Sequence, residues 1–335
     1  MFDFIAFIPR AVVQGVPLML GSTGETLTQK SGNLNLGLPG VMYVGAICGV
    51  IGSFLYELNT PAAEMNALLA VGIPTLCCLA GSVLMGLLYC FLTVTLRANQ
   101  NVTGLAMTTF GVGFGNFFGG SLIRLTDSEV PSIALTATSS YFKTTLPFAD
   151  SLGWFGQIFL SYGALTYIAI IIAILCSYFL KRTRSGLNLR AVGEDPATAD
   201  AAGINVTRYK YLATCAGAAI CGLGGLYYVL DYNQGIWATT EQIQALGWLA
   251  LALVIFTTWK PLNAIWGAYL FGILYWLYQF LPSILGISVS SAMTDLVQMV
   301  PYVVTILVLI FVSMRRKKED QPPAHLGLAY FREER

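Results

Sequence analysis

IFLSYGALTYIAIIIAILCSYFL, residues 158–180, runs through 23 positions without a charged side chain. A helix rises 1.5 Å per residue, so this stretch would be about 35 Å long, enough to cross the roughly 30 Å hydrocarbon core of a bilayer. Apolar runs of the same kind recur near 4–22, 37–56, 67–96, 104–123, 209–230, 244–259, 262–281 and 294–313. Composition extends the inference to the whole chain: 56% of the 335 residues are apolar and 10% are charged, against about 25% charged in soluble domains. Lipid offers no partner to an open sheet edge, so the expected fold is an all-α, polytopic transmembrane bundle. It has nine spans, or ten if 67–96, which contains Pro74 and Gly81, is two segments rather than one kinked helix. The 34 glycines suit helices that approach closely within a membrane.

Charge sorting sets the expected orientation, because cytoplasmic loops are enriched in Lys and Arg. With Arg315, Arg316, Lys317 and Lys318 inside, alternation places all 18 basic residues on the cytosolic side except Arg10, Arg124 and Lys143. The external side carries Glu57, Glu64, Asp127, Glu129, Asp150, Asp231, Glu241 and Asp295. The chain thus divides into a membrane domain, 1–314, with a cytosolic loop at 181–208 and an external loop at 124–157, and a cytosolic tail, 315–335. Trp154 and Phe155 in the external loop suit the headgroup level. MFDFIAFIPR has no cationic n-region and is expected to open the first helix rather than a cleaved signal peptide. The net charge of +1 implies no nucleic-acid surface.

Several chemistries are excluded. None of the seven lysines follows a glycine, so the chain has no P-loop of its own. His325, in the tail, is the only histidine, which leaves no imidazole for a membrane proton relay, a His-based metal site or a Ser-His-Asp triad. The seven cysteines lie in apolar segments without a Cys-x-x-Cys pair and read as small hydrophobes. A secondary carrier or channel normally places ionisable groups near the midplane. Here almost every carboxylate falls in a loop, and only Glu25 is ambiguous. Uphill transport would therefore draw its energy from another subunit.

Three stretches break the apolar pattern. In GSTGETLTQKSGNLNLGLPGVMYVGA, residues 21–46, polar residues and glycines interrupt the helical period before Pro39 and Gly40. This is either a broken helix lining a cavity, where Asn33 and Asn35 offer amides to a polar solute, or a cytosolic loop. RANQNVTGLAMTTFGVGFGN, residues 97–116, sets Asn101, Thr108, Thr109 and Asn116 in or beside a span; the threonines either line a path or bond to preceding carbonyls. In RAVGEDPATADAAGINVTRYK, residues 190–210, Asp195 is a good N-cap, Pro196 suits the first turn and Gly203 suits a left-handed helix end. These residues predict a helix over 196–202, whose Ala197, Ala199, Ala201 and Ala202 leave a bare surface for a partner's groove. A plain connection between two spans is the alternative.

These stretches resemble the permeases of ATP-binding cassette importers for simple sugars, branched-chain amino acids and nucleosides. The first is similar to the family's Gly-Glu followed by Gly-x-x-Asn-Leu-Gly-x-x-Gly-x-Met, matched by Gly24, Glu25, Gly32, Asn35, Leu36, Gly37, Gly40 and Met42. The second is similar to Asn-Gln-x-x-x-Gly-Leu-Ala, here Asn99 or Asn101 with Gln100, Gly104, Leu105 and Ala106. The third resembles the family's coupling loop through Arg190, Ala191, Gly193, Glu194, Pro196, Ala199, Ala202, Gly203 and Ile204. GWLALALVIFTTWKP, residues 247–261, looks like the nucleoside branch, from which Pro39 (usually Glu) and Gln29-Lys30 (usually Glu-Arg) depart.

The resemblance implies a type II-like permease in the bacterial cytoplasmic membrane. It implies a heterodimer with a second permease, a cytosolic ATPase that uses ATP and Mg, and an external substrate-binding lipoprotein, with no cofactor on this chain. The implied solute is a purine nucleoside, with a simple sugar or riboflavin as alternatives. Glu25, Asn33, Asn35, Asn101, Thr108 and Asn116 are the candidate solute-path residues. Arg190, Gly193, Glu194, Pro196, Ala199, Gly203 and Ile204 are the candidate ATPase-coupling residues.

Overall fold

The computed structural model describes residues 4–61, 64–125, 132–145, 153–238 and 242–285, isolated positions between 299 and 310, and the tail segment 321–332. In chain order the helices are α1 (Phe4–Gln29), α2 (Leu38–Asn59), α3 (Ala67–Cys90), α4 (Gln100–Leu125), α5 (Thr136–Phe142), α6 (Gly153–Phe159) and α7 (Ala164–Arg182). They continue as α8 (Arg184–Glu194), α9 (Pro196–Ala201), α10 (Val206–Tyr227), α11 (Gln242–Phe256) and α12 (Pro261–Leu285). Single π-helical turns extend α3 over Phe91–Thr95 and α10 over Tyr228–Tyr232. Among the described residues four helical stretches are long and apolar enough to cross a membrane: Leu38–Asn59, Ala67–Thr95, Ala164–Arg182 and Val206–Tyr232.

The run 67–96 is one helix, with Pro74 inside it, rather than two. The first helix reaches Gln29, past the apolar run ending near 22, because the polar side chains of its last two turns are enclosed by protein. The expected span at 294–313 lies mostly outside the described residues, as do 126–131 and 146–152 of the expected external loop and 315–320 of the tail.

Helix α1 is the hub of the bundle, packing against α10, α12, α11 and α7, while α2 is enclosed by α3, α10, α4 and α11. Helices α3 and α7 are peripheral and turn Leu68, Leu76, Leu84, Ile168, Ile171 and Leu175 outward, as lipid contact requires. Glycines set the closest crossings. A Cβ on Gly24 would stand 2.4 Å from the Gly217 carbonyl oxygen, and one on Gly217 would stand 2.5 Å from that of Gly24, so α1 and α10 meet backbone to backbone. At Gly111 a Cβ would lie 2.5 Å from the Gly40 Cα, which joins α4 to α2 in the same way.

The all-helical expectation needs one amendment. β1 (Ser132–Ala134) pairs antiparallel with β2 (Ile236–Ala238), with Ile133 opposite Trp237. The buried Trp237 meets Tyr43 of α2 edge-on at 5.5 Å between ring centroids, anchoring this ribbon to the bundle. Three-residue strands are too short to show an alternating pattern.

Candidate functional site

Between α1 and α2 the amides of Lys30, Ser31 and Gly32 close the last turn on the carbonyls of Thr26, Thr28 and Gln29, and beyond them side chains, several from surrounding helices, supply partners to residues 33–37. Glu25 Oε1 accepts from Gln29 Nε2 at 3.0 Å and from the Asn35 amide at 3.3 Å. Asn33 Nδ2 donates to Thr214 Oγ1 of α10 at 3.0 Å, and the Leu34 amide donates to Gln100 Oε1 of α4 at 2.7 Å. Tyr89 of α3 donates to the Leu34 carbonyl at 2.7 Å, and Thr108 of α4 to the Leu36 carbonyl at 2.9 Å. Asn35 Oδ1 accepts from the Gly37 amide at 2.9 Å, closing a turn just before α2. Trp259, after α11, donates from Nε1 to Gln29 Oε1 at 2.6 Å. The break thus ties five helices together at one level. Gly32, at φ 87°, makes the turn that other residues rarely adopt.

Glu25, Asn33, Asn35 and Thr108 are all buried in this network. Glu25 Oε2 and Asn33 Oδ1 are buried and have no hydrogen-bond partner among the described residues. Asn101 and Asn116 lie instead on an exposed face of α4. That face also carries Leu105, Thr109, Phe110, Gly113 and Phe117 at helical spacing. Asn116 Oδ1 accepts from Tyr43 Oη at 2.7 Å, and Thr109 bonds to the preceding Leu105 carbonyl at 3.2 Å. The polar residues predicted for one path therefore divide between a buried core and an open helix face.

The coupling stretch forms a compact pair of helices. Thr183 caps α8 by accepting from the Gly186 amide at 3.0 Å. Asp195 Oδ1 caps α9 by accepting from the Ala197 and Thr198 amides at 3.0 and 3.1 Å. The Thr198 hydroxyl and these amides favour the charged form, so the Asp195 carboxyl is held below its ordinary range. At the far end the Ile204 amide bonds to the Ala199 carbonyl and the Gly203 amide to the Asp200 carbonyl, both at 3.0 Å, with Gly203 at φ 83°. This is the paired-bond helix end for which glycine is suited.

Ala199 corrects the sequence reading. It packs inward with Val192 and Val206 and is 4% exposed, so the bare surface consists of Ala197, Thr198, Ala201 and Ala202. Pro196 is buried too. Gly193 lies against the break: a Cβ there would stand 2.3 Å from the Lys30 carbonyl oxygen. Arg190 and Glu194 line a cleft with Lys30, Lys181 and Lys260, so the basic residues of several loops share one end of the molecule. Burial holds the Lys30 ammonium below the ordinary lysine range, a trend opposed by Glu194 and reinforced by Arg190.

Sequence reasoning passed over the tail. The His325 amide donates to the Gly193 carbonyl at 3.1 Å and the Gly327 amide to the Gly32 carbonyl at 3.1 Å. Tyr330 Oη donates to Asp200 Oδ2 at 2.9 Å, and Arg332 Nε lies 3.0 Å from the same oxygen. Residues 321–332 thus strap the helix pair α8–α9 to the α1–α2 break. Gln100 joins this strap as well, donating to the Leu328 carbonyl at 3.3 Å. Tyr89, Thr214 and Trp259 were equally missed, since isolated polar or aromatic side chains in apolar runs carry no spacing signal.

A bundle of long apolar helices, with a buried break between its first two helices and a capped helix pair packed against that break at its basic end, defines an integral membrane transport subunit. The chain belongs to the family described as branched-chain amino acid transport system / permease component, which it matches over residues 7–309. Members of this family are permease subunits of ABC transporters, which are transport components and not enzymes. The chain is similar to the guanosine ABC transporter permease protein NupQ of Bacillus subtilis, at 30% identity over 98% of this chain and 97% of that one. It is also similar to the nucleoside ABC transporter permease protein NupC of Lactococcus lactis subsp. cremoris, at 30% identity over 90% of each. Another relative is the putative glucose ABC transporter permease protein TsgC13 of Haloferax volcanii, at 32% identity over 81% of this chain and 77% of that one.

Proposed function

We propose that this permease imports a purine nucleoside, with its basic end in the cytosol and the helix pair α8–α9 docked on a separate ATPase that consumes ATP and Mg. The observation that carries the coupling role is α9 itself. It is a six-residue helix, capped at both ends, with Ala197, Thr198, Ala201 and Ala202 exposed. A helix so short does not persist alone in water. Its inward face and the tail strap hold it rigid, so a push on its outer face reaches the α1–α2 break through Gly193 and the tail. In this reading Asn101 and Asn116 face the solute on α4, while Glu25, Asn33, Asn35 and Thr108 hold the break behind them. A second permease would close the open face of α4, and an external lipoprotein would deliver the solute.

Support for a nucleoside comes from the relatives named for guanosine and nucleosides, which align over nearly the whole chain. The glucose-named relative favours a sugar as the second reading. Uptake of labelled guanosine, glucose and riboflavin by cells with and without the gene separates them. Loss of guanosine uptake alone is the expected result, and loss of glucose uptake alone would favour the sugar reading.

A further inference from the structure

The cleft formed by the end of α3, the start of α10, α9 and the tail lies beside the coupling route described above and shares Asp200, Gly203, Ile204, Tyr330 and Arg332 with it. It encloses about 700 Å³, within the usual range for small-molecule sites. Arg97, Arg208, Lys210 and Arg332 line it, and among the described residues the only carboxylate on its walls is Asp200. Asp200 is already engaged by Tyr330 and Arg332, so among the described residues no acid in the cleft is left to offset the positive charge of the other walls.

Lys210 makes this more than a basic surface. It is 3% exposed, and among the described residues its ammonium has no hydrogen-bond or ion-pair partner. A buried ammonium without a counter-charge is costly, and an anion in the cleft would remove that cost. Arg97 is also held in place: its backbone sits at φ 59° and its guanidinium stacks on Phe331 of the tail, 4.8 Å from the ring centroid. Tyr211, its hydroxyl 2.5 Å from that of Thr95, adds a polar group on the same wall.

We propose that this cleft binds a phosphate-bearing anion, with Lys210 as the buried anchor and Arg97 and Arg208 completing the cradle. Tetrahedral phosphate oxygens suit several separate cationic donors at once. The cleft is too large for a bare phosphate, so an ester group would fill the remainder. It opens where two helices long enough to cross the membrane meet the basic end, at the level where anionic lipid headgroups gather. The phosphate can therefore come from a lipid headgroup or from a soluble phosphate ester, and the recognition chemistry is the same.

The test is calorimetric titration of the delipidated permease complex in neutral detergent. The probes are inorganic phosphate and, below its micelle concentration, dihexanoyl phosphatidylglycerol; zwitterionic dihexanoyl phosphatidylcholine is the control. Saturable binding of either anionic probe is expected, weakened at least tenfold in Lys210→Met and several-fold in Arg97→Gln. Binding of the lipid alone identifies a headgroup site, and binding of phosphate alone identifies a soluble anion. If Lys210→Met does not assemble, Arg97→Gln, which lies outside every helix, decides. No saturable binding of either anionic probe, or unchanged affinity in the variants that assemble, would overturn the proposal.

Discussion

Glu25 separates an ATP-driven permease from an ion-coupled carrier. A carrier needs the charge of an intramembrane carboxylate, whereas the scaffold seen here uses only one acceptor oxygen, on which Gln29 and the Asn35 amide converge. Glu25→Gln keeps an acceptor and should retain most of the transport rate. Glu25→Leu leaves the buried Asn35 amide unpaired, at a cost of about 1–3 kcal/mol, and should lower both thermal stability and uptake. Thermal unfolding and uptake measured on the two variants check this, and abolition of transport by Glu25→Gln with normal stability would point to ion coupling. The sequence showed Glu25, Asn33 and Asn35 as polar residues out of place among apolar ones. It did not show the surrounding scaffold, because Thr214 meets Asn33 across 181 positions of chain, Tyr89 meets the Leu34 carbonyl across 55 and Trp259 meets Gln29 across 230, and no local pattern encodes such pairings.

At the scale of elements, helix α9 was legible almost to the residue, since Asp195, Pro196 and Gly203 are local signals that act within one turn. Which of its alanines faces outward was not legible, because that depends on where α8, α10 and the tail settle. Ala197→Arg should leave the permease folded and reduce co-purification with the ATPase at least tenfold. Ala199→Arg forces a charge between Val192 and Val206, costs on the order of 3 kcal/mol, and should expose the loop to limited proteolysis. Equal proteolytic resistance of the two variants would contradict the inward placement of Ala199.

The tail strap carries a pH dependence of definite sign. Burial, with Lys210 nearby as a second cause, holds His325 below its ordinary value of 6.5 when the tail is docked, while Asp195 opposes the trend. The released tail then binds more protons than the docked one. The contribution of His325 to docking is therefore complete above about pH 6.5 and declines as pH falls below it. Hydrogen exchange in 321–332, corrected for intrinsic rates, should show weaker protection at pH 5.5 than at 7.5 in the wild type and a smaller difference in His325→Asn. Protection that rises on acidification would reverse this assignment.

For the whole molecule, composition alone conveyed the membrane class, and the sorting of Lys and Arg conveyed an orientation. Both signals are summed over many residues, so no single error removes them. Helix-to-helix arrangement was not legible, because pairs such as Gly24 with Gly217 look like any other glycines until the crossing is known. The orientation predicts that Ser185→Cys, exposed in the first turn of α8, resists an impermeant thiol reagent in intact cells, while Ser140→Cys on α5 reacts, each in a background lacking the native cysteines. The reverse pattern would invert the molecule in the membrane.

The central claim is that this permease moves its solute with energy delivered through α9 by a separate ATPase. Purified complex in proteoliposomes, with the solute-loaded binding protein outside and ATP enclosed, tests it most directly. Uptake should require ATP, persist when proton and sodium gradients are collapsed, and fall to background in Ala197→Arg. Uptake driven by an ion gradient without ATP, or undiminished in Ala197→Arg, would contradict the account.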